Sequence, residues 1–260
     1  MEVVIVEDRC AGADLVADAI CRLAMKGSCV LGLATGSTPE AVYDELARRA
    51  FTGRLDTSGI KAFLLDEYTG LPADHEASFT EVIRRQVVER LGLGPEAVLG
   101  PNGLASDLES EAKRYDASIA ASGGVDLQLL GIGSDGHIGF NEPGSSLGSR
   151  TRIKTLNPAT VSDNSRFFEG VESRVPKHVL TQGIGTILEA RHLILMAWGK
   201  AKAHAVAACV EGPITSMVPA SALQLHPHTT VVVDEAAAQH LRLSDLYRAT
   251  YAAKPSWQRI

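Results

Sequence analysis

The chain has 260 residues, 45% hydrophobic and 22% charged, with a formal net charge of −6, which is enough for one large core or two small domains. No run of Lys and Arg supplies a nucleic-acid surface, and no apolar run approaches the roughly 20 residues of a membrane helix. An anionic ligand would have to be captured by a few local cations against the overall field.

The chain opens MEVVIVEDR, without the basic start and long apolar stretch of a secretory signal. Its first predicted strand is 3–6 (VVIV), followed by a helix at 14–25. Strand 29–34 (CVLGLA) leads to helix 39–49. Strand 60–65 (IKAFLL) is followed by helices 77–91 and 106–121, then by strand 125–132. Strand 192–198 (HLILMAW), helix 200–210 and strand 229–234 (TTVVVD) complete the series. The strands are short and rich in Val, Ile and Leu, as strands covered on both faces are. The helices carry apolar residues at helical spacing. This alternation predicts an α/β fold: an open, mainly parallel Rossmann-like sheet with helices on both faces. With no repeat or linker, residues 1–260 form a single domain. Segment 156–178 breaks the rhythm with two prolines, small polar residues and Phe167–Phe168. It is expected to be a lid, against the plainer reading of a surface excursion whose aromatics plug a minor core. Cys10, Cys21, Cys29 and Cys209 are scattered with no C-x-x-C, which predicts a reduced, cytoplasmic protein.

Ligands of open α/β sheets bind beyond the carboxyl ends of the strands. After strand 29–34 comes Thr35-Gly36-Ser37-Thr38-Pro39. Thr38 is the expected N-cap and Pro39 the first helical residue. Amides, hydroxyls and the helix dipole together make an anion seat there; a plain helix cap is the alternative. After strand 60–65 stand Asp66 and Glu67. Neighbouring strand residues point opposite ways, so one acid faces the crevice, and Asp66 is the choice for proton transfer.

After strand 125–132 the chain reads GIGSDGHIGFNEPG. The G-x-G-x-x-G pattern should open a helix and be followed about 20 residues later by an acid for the ribose. Neither is present, so the glycines are expected to shape a turn. Asp135 and His137 are two apart and share a side in an extended segment, and the short turn can return Glu142 to them. A histidine held between two carboxylates is a tuned proton carrier. A metal set of Asp, His and Glu is the alternative, without a second His at zinc spacing. His226-Pro227-His228 is a further ligand pair or a structural turn. Arg166 and Lys202 are the candidate phosphate cations, with Lys200 competing and solvated surface charge as the plainer reading.

The segments LGLATGSTP, LLDEYTGL, GIGSDGHIGFNEPGSSLGSRTRIKTL, NSRFF, GIGT, GKAKA, VEG and LQLHPH occur in this order. Together, over roughly residues 1–240, they resemble the glucosamine-6-phosphate deaminase family. The related 6-phosphogluconolactonases share a G-x-G-x-D-G-H segment but continue toward S-L-F-P. Here Phe140-Asn141-Glu142-Pro143 follows, and it separates the two. A third reading, a non-catalytic sugar-phosphate sensor, conflicts with retention of Asp66, Asp135, His137 and Glu142. The resemblance implies isomerisation and deamination of glucosamine 6-phosphate to fructose 6-phosphate and ammonia, without metal or other cofactor. It implies His137 for ring opening, Asp135 and Glu142 to hold it, and Asp66 for proton transfer from C2 to C1. Thr35, Gly36, Ser37, Thr38, Arg166 and Lys202 would hold the phosphate. It further implies a homo-oligomer, a hexamer in many members, with N-acetylglucosamine 6-phosphate as activator at Ser145, Arg152 and Lys154. The tail from Leu246 onward departs from the family pattern.

Overall fold

The computed structural model describes residues 1–255, 257, 258 and 260. In chain order the elements are β1 (Glu2–Val6), α1 (Arg9–Ala24), β2 (Cys29–Leu33), α2 (Ser37–Phe51), β3 (Ile60–Leu64), β4 (Asp66–Tyr68), α3 (Phe79–Ile83), α4 (Glu89–Leu91), β5 (Val98–Leu99), α5 (Leu108–Ala121) and β6 (Leu127–Gly131). They continue with β7 (Arg152–Thr155), α6 (Pro158–Asn164), β8 (His178–Thr181), α7 (Ile184–Ile187), β9 (Leu193–Ala197), α8 (Ala203–Glu211), β10 (Thr229–Asp234), α9 (Glu235–Ala238) and α10 (Ser244–Ala252).

A seven-stranded sheet runs in the order β1-β10-β9-β6-β2-β3-β5, with every pair parallel. The expected open parallel sheet is therefore present. From β2 the chain moves outward through β3 to β5, then returns to place β6 on the other side of β2. The strand order reverses between β2 and β6, and this is where a crevice opens at the carboxyl ends of such sheets. Both faces are covered. Val16 and Ile20 of α1 and Val42 and Leu46 of α2 pack with Leu129, Ile194 and Val232. On the other face Tyr115 and Ile119 of α5 and Val206 of α8 pack with Leu130, Leu195 and Val233. Alternate residues of one strand serve opposite faces, which is why the central strands read as continuous apolar runs.

Helix boundaries shift where caps act. α1 begins earlier than the predicted residue 14, because Asp8 accepts from the Cys10 and Ala11 amides and starts it before the apolar spacing becomes visible. The predicted helix 77–91 is interrupted by a π-helical turn at Arg84–Val88. α8 begins at Ala203 after a 3-10 turn at Lys200–Lys202. α10 lies in the tail that departs from the family pattern, of which Ser256 and Arg259 lie outside the described residues.

A second, antiparallel sheet has the order β4-β8-β7, which the short apolar runs did not reveal. It starts one residue beyond the end of β3. Glu67 anchors it. The carboxylate is 2% exposed and accepts from the amides of Tyr68 (2.8 Å), Phe79 (3.1 Å) and Thr80 (2.8 Å) and from the hydroxyls of Ser78 (3.0 Å) and Thr80 (2.7 Å). It thus ties β4 to the first turn of α3. Removing a buried, fully bonded carboxylate leaves those donors unpaired. Glu67→Ala is expected to lower unfolding free energy by about 3 kcal/mol, read from urea denaturation. A change within about 0.5 kcal/mol would contradict this anchoring role.

Candidate active site

Three chain segments meet at the strand-order reversal. The first follows β2. Gly36 has φ +94 and is the N-cap of α2. That left-handed turn, open to glycine, starts the helix at Ser37. Thr38 and Pro39 are therefore the second and third helical residues, which corrects the expected cap and first position. Pro39 is tolerated there because the first turn's N–H groups have no intrahelical acceptor. No side chain caps this end. The first-turn amides and the positive end of a 15-residue helix face the crevice as an anion seat.

The second segment is β4. Its alternation sends Glu67 to α3 and Asp66 to the crevice. Asp66 is 5% exposed and pairs across the small sheet with Thr181, which also pairs with Arg152 of β7. Burial pushes the Asp66 carboxyl up to about 8, and the negative charge of Glu67 adds to the shift. Behind it Gln182 donates to the Leu64 carbonyl (2.9 Å) and Tyr115 to the same oxygen (2.6 Å), so the nearby polar groups serve the backbone.

The third segment follows β6. No helix follows the glycines, so the dinucleotide reading fails in structure as it did in spacing. A Cβ on Gly133 would lie 2.2 Å from the His137 ring; glycine is required for the imidazole to lie against the chain. The Asp135 carboxylate oxygen lies 2.6 Å from His137 Nδ1 and accepts from the His137 amide at 3.2 Å. The close approach at Nδ1 lacks hydrogen-bond geometry, so Asp135 sits beside the imidazole as a charge while its hydrogen bond goes to the His137 amide, leaving Nε2 as the nitrogen for proton exchange.

Among the described residues the hydrogen bonds of Glu142 go to Asn157 and Thr160, and the expected contact with His137 is not among them. Asn141 is fully buried and its side-chain amide donates to the carbonyls of Ile138 (3.0 Å) and Gln182 (2.8 Å). This reverses the chain after His137 and fixes it to Gln182, the residue after β8. Glu142 is carried to the other side, where Oε1 accepts from Asn157 Nδ2 and Thr160 Oγ1, both at 2.7 Å.

A cavity of about 980 Å³ joins these parts, lined by Thr35, Gly36, Ser37 and Thr38, by Asp66 and His137, and by Arg166 and Lys202. Lys200 is exposed and does not line it, whereas Lys202 does. Burial lowers the Lys202 pKa, while Asp135 acts in the opposite sense. The irregular segment forms α6 and short 3-10 turns. It contributes Thr160, Asn164 and Arg166 to the cavity, while Phe168 is buried edge-on against Tyr68 at 5.7 Å. It thus lines the cavity and also plugs a small aromatic core. Ser145, Arg152 and Lys154 lie outside the cavity. Arg152 and Lys154 are half-buried on one face of β7, with exposed Ile153 between them. Burial lowers the Arg152 pKa. The buried Ser145 hydroxyl has no hydrogen-bond partner among the described residues. His226 Nε2 donates to the Ala190 carbonyl at 2.7 Å and Nδ1 accepts from the His228 amide at 3.1 Å, and the His228 ring stacks on His192 at 3.7 Å, so this pair is a structural turn. The roles of Asn141, Thr181, Gln182 and Tyr68 were missed from sequence. Only Asn141 carried a signal there, as part of the motif that separates the two related families.

The family model described as glucosamine-6-phosphate isomerases/6-phosphogluconolactonase matches residues 9–233. The glucosamine-6-phosphate deaminase of Streptomyces avermitilis is 59% identical over 261 residues, covering 100% of both chains. That of Mycolicibacterium smegmatis is 56% identical over 261 residues, again covering 100% of both. A solved structure described as a monomeric glucosamine-6-phosphate deaminase superposes with a TM-score of 0.89 at 41% identity, covering 92% of this chain and 100% of that one. The 6-phosphogluconolactonase of Trypanosoma cruzi shares the fold, with a TM-score of 0.73 at 20% identity over 93% of this chain and 97% of that one. The chain belongs to the glucosamine-6-phosphate isomerase/6-phosphogluconolactonase family.

Proposed function

We propose that the chain is a glucosamine-6-phosphate deaminase, converting glucosamine 6-phosphate and water to fructose 6-phosphate and ammonia. The observation that carries this reading is one cavity holding an uncapped helix start, a desolvated Asp66 and a His137 with the Asp135 charge beside it. The full-length identity to deaminases, against 20% to a lactonase, supports the choice within the family.

The substrate phosphate sits on Thr35 to Thr38, with Arg166 and Lys202 as its cations. Holding this distant group orients the reacting carbons. His137 Nε2 takes the proton of the anomeric hydroxyl and returns one to the ring oxygen, which opens the pyranose. Asp66 as a carboxylate takes the C2 proton, leaving an enolamine, and returns the proton to C1. The C2 imine adds water and expels ammonia, which leaves the ketose. The residues alone move every proton in this sequence, with no cofactor. The single domain of residues 1–260, with 156–178 as its lid, and a cytoplasmic setting with four free cysteines belong to the same proposal. So does activation by N-acetylglucosamine 6-phosphate in a homo-oligomer, supported by the unpartnered Ser145 hydroxyl and the half-buried Arg152.

Purified protein with glucosamine 6-phosphate should release ammonia and fructose 6-phosphate in equal amounts. Folded protein that releases none, or that turns over 6-phosphogluconolactone instead, would sink the assignment. The Asp66 base is the ionised form, so kcat/KM should rise with pH through about 8. Asp66→Asn should remove that limb and lower kcat by roughly 10³-fold while substrate still binds; retained activity would take Asp66 out of the role. The same shift affects stability. The folded carboxyl holds its proton up to about 8 and the ordinary value is 3.8. This group therefore favours folding fully below about pH 4 and loses that contribution as pH rises through 8. Asp66→Asn should raise the melting temperature relative to wild type at about pH 9 and hardly at all at about pH 4; an equal change at both would contradict the burial argument. Sedimentation and kinetics with N-acetylglucosamine 6-phosphate test the activator. The expected result is an association and a rise in apparent affinity that Arg152→Ala abolishes, and an unchanged wild type would remove the site.

A further inference from the structure

We propose that Trp198 is a positioning residue for the substrate phosphate. Its indole braces the start of α2 from the same strand end that carries Lys202, and so sets the spacing between the helix amides and the cation. The proposal rests on the phosphate seat read above. Trp198 is the first residue after β9. Its Nε1 donates to the Thr38 carbonyl at 3.0 Å. Thr38 lies in the uncapped first turn of α2 and lines the cavity. Among the described residues no other side chain hydrogen-bonds to residues 35–38. That turn begins at Gly36 with a positive φ, so it is a joint with little stiffness of its own. The indole holds it from behind.

The far edge of the indole is held closely as well. It rests on the α1 backbone at Gly12, where a Cβ would lie 2.4 Å from Cη2 and 2.9 Å from Cζ3. β6 separates β9 from β2 in the sheet, so no ladder of backbone hydrogen bonds joins the two turns directly; the indole does. The residues after Trp198 carry the cation. Gly199, with φ +82, opens the 3-10 turn Lys200–Lys202. Its amide is shared by both carboxylate oxygens of Asp234, at 3.0 and 2.9 Å. The Lys202 amide donates back to the Gly199 carbonyl at 3.1 Å. One strand end therefore sends an indole to the helix start and a lysine into the cavity, with Asp234 fixing the turn between them. A phosphate gains from amides and ammonium together only when their separation matches it.

Trp198→Phe keeps a ring and removes the donor. It should raise KM for glucosamine 6-phosphate and the inhibition constant of inorganic phosphate about fivefold each, with a smaller change in kcat. Gly12→Ala keeps the indole N–H but displaces the ring, and should raise both constants similarly. In the Trp198→Phe background, where the shorter ring clears that Cβ, it should add little. Fluorescence reads the same contact. The chain has two tryptophans and Trp257 is 80% exposed, so Trp257→Phe isolates the Trp198 emission. Titration with inorganic phosphate should change that emission with a midpoint at the inhibition constant, and Gly12→Ala should move the midpoint upward. Unchanged constants in Trp198→Phe, with only a lower melting temperature, would make the indole a core filler and overturn the proposal. So would a fall in kcat at unchanged KM, or an equal effect of Gly12→Ala in both backgrounds. A protein that turns over no glucosamine 6-phosphate, but whose Trp198 emission follows phosphate and shifts with Gly12→Ala, would keep the proposal and remove the deaminase reading. One that responds to no phosphate would remove both.

Discussion

The arrangement depends on one topological constraint: β2 and β6 are neighbours that the chain enters from opposite directions of travel across the sheet. A crossover helix cannot cover the gap where strand order reverses, so two loops diverge and leave a crevice. One loop becomes the uncapped start of α2, and the other becomes the glycine turn that lays His137 against Gly133. The small antiparallel sheet closes the third side. Its first strand begins one residue past β3, so the distance from the helix start to Asp66 is set by the parallel sheet itself. A site built this way inherits the rigidity of paired strands rather than the mobility of long loops.

Within that frame, adjacent residues of one chemical type have opposite fates. Glu67 is buried with five donors around it, so its charge is matched where it sits. Asp66 is buried beside polar groups that serve the Leu64 carbonyl, so its charge is unmatched and its proton is held. The difference comes from hydrogen bonding more than from depth. Asp135 and Glu142 divide in the same way. One carboxylate lies against the imidazole and the other bonds Asn157 and Thr160.

Much of the fold was legible because the central strands are buried on both faces and read as plain apolar runs. Residues 35–38, Asp66, Asp135, His137 and Lys202 were legible as candidates because each follows such a strand, and all but Asp135 line the cavity. Boundaries were not. Asp8 starts α1 through a cap, and the periodic pattern begins later. Gly36 starts α2 early through a positive φ that the Thr-Pro pair obscured. The small sheet escaped because β4 and β7 mix polar with apolar residues and pair only with distant β8. The path of Glu142 escaped for a deeper reason. Its direction is set by the two hydrogen bonds of the Asn141 side chain, one of them to Gln182, and sequence distance says nothing of such a contact. The roles of Tyr68 and Thr181 are likewise visible only across strands.

The brevity of β4 has a consequence for what changes the protein can absorb. Its three residues supply, in turn, the buried carboxyl of the cavity, the anchor to α3, and the phenol that meets Asn164. A single inserted or deleted residue between β3 and β4 would rotate the whole trio by one face. Glu67 would then enter the cavity, Asp66 would be presented to the amides of α3, and the phenol of Tyr68 would turn away from Asn164. Substitutions can damage one of these functions at a time, but a change of length damages all three together. The Leu64–Asp66 junction is therefore where this chain has the least freedom to drift in length.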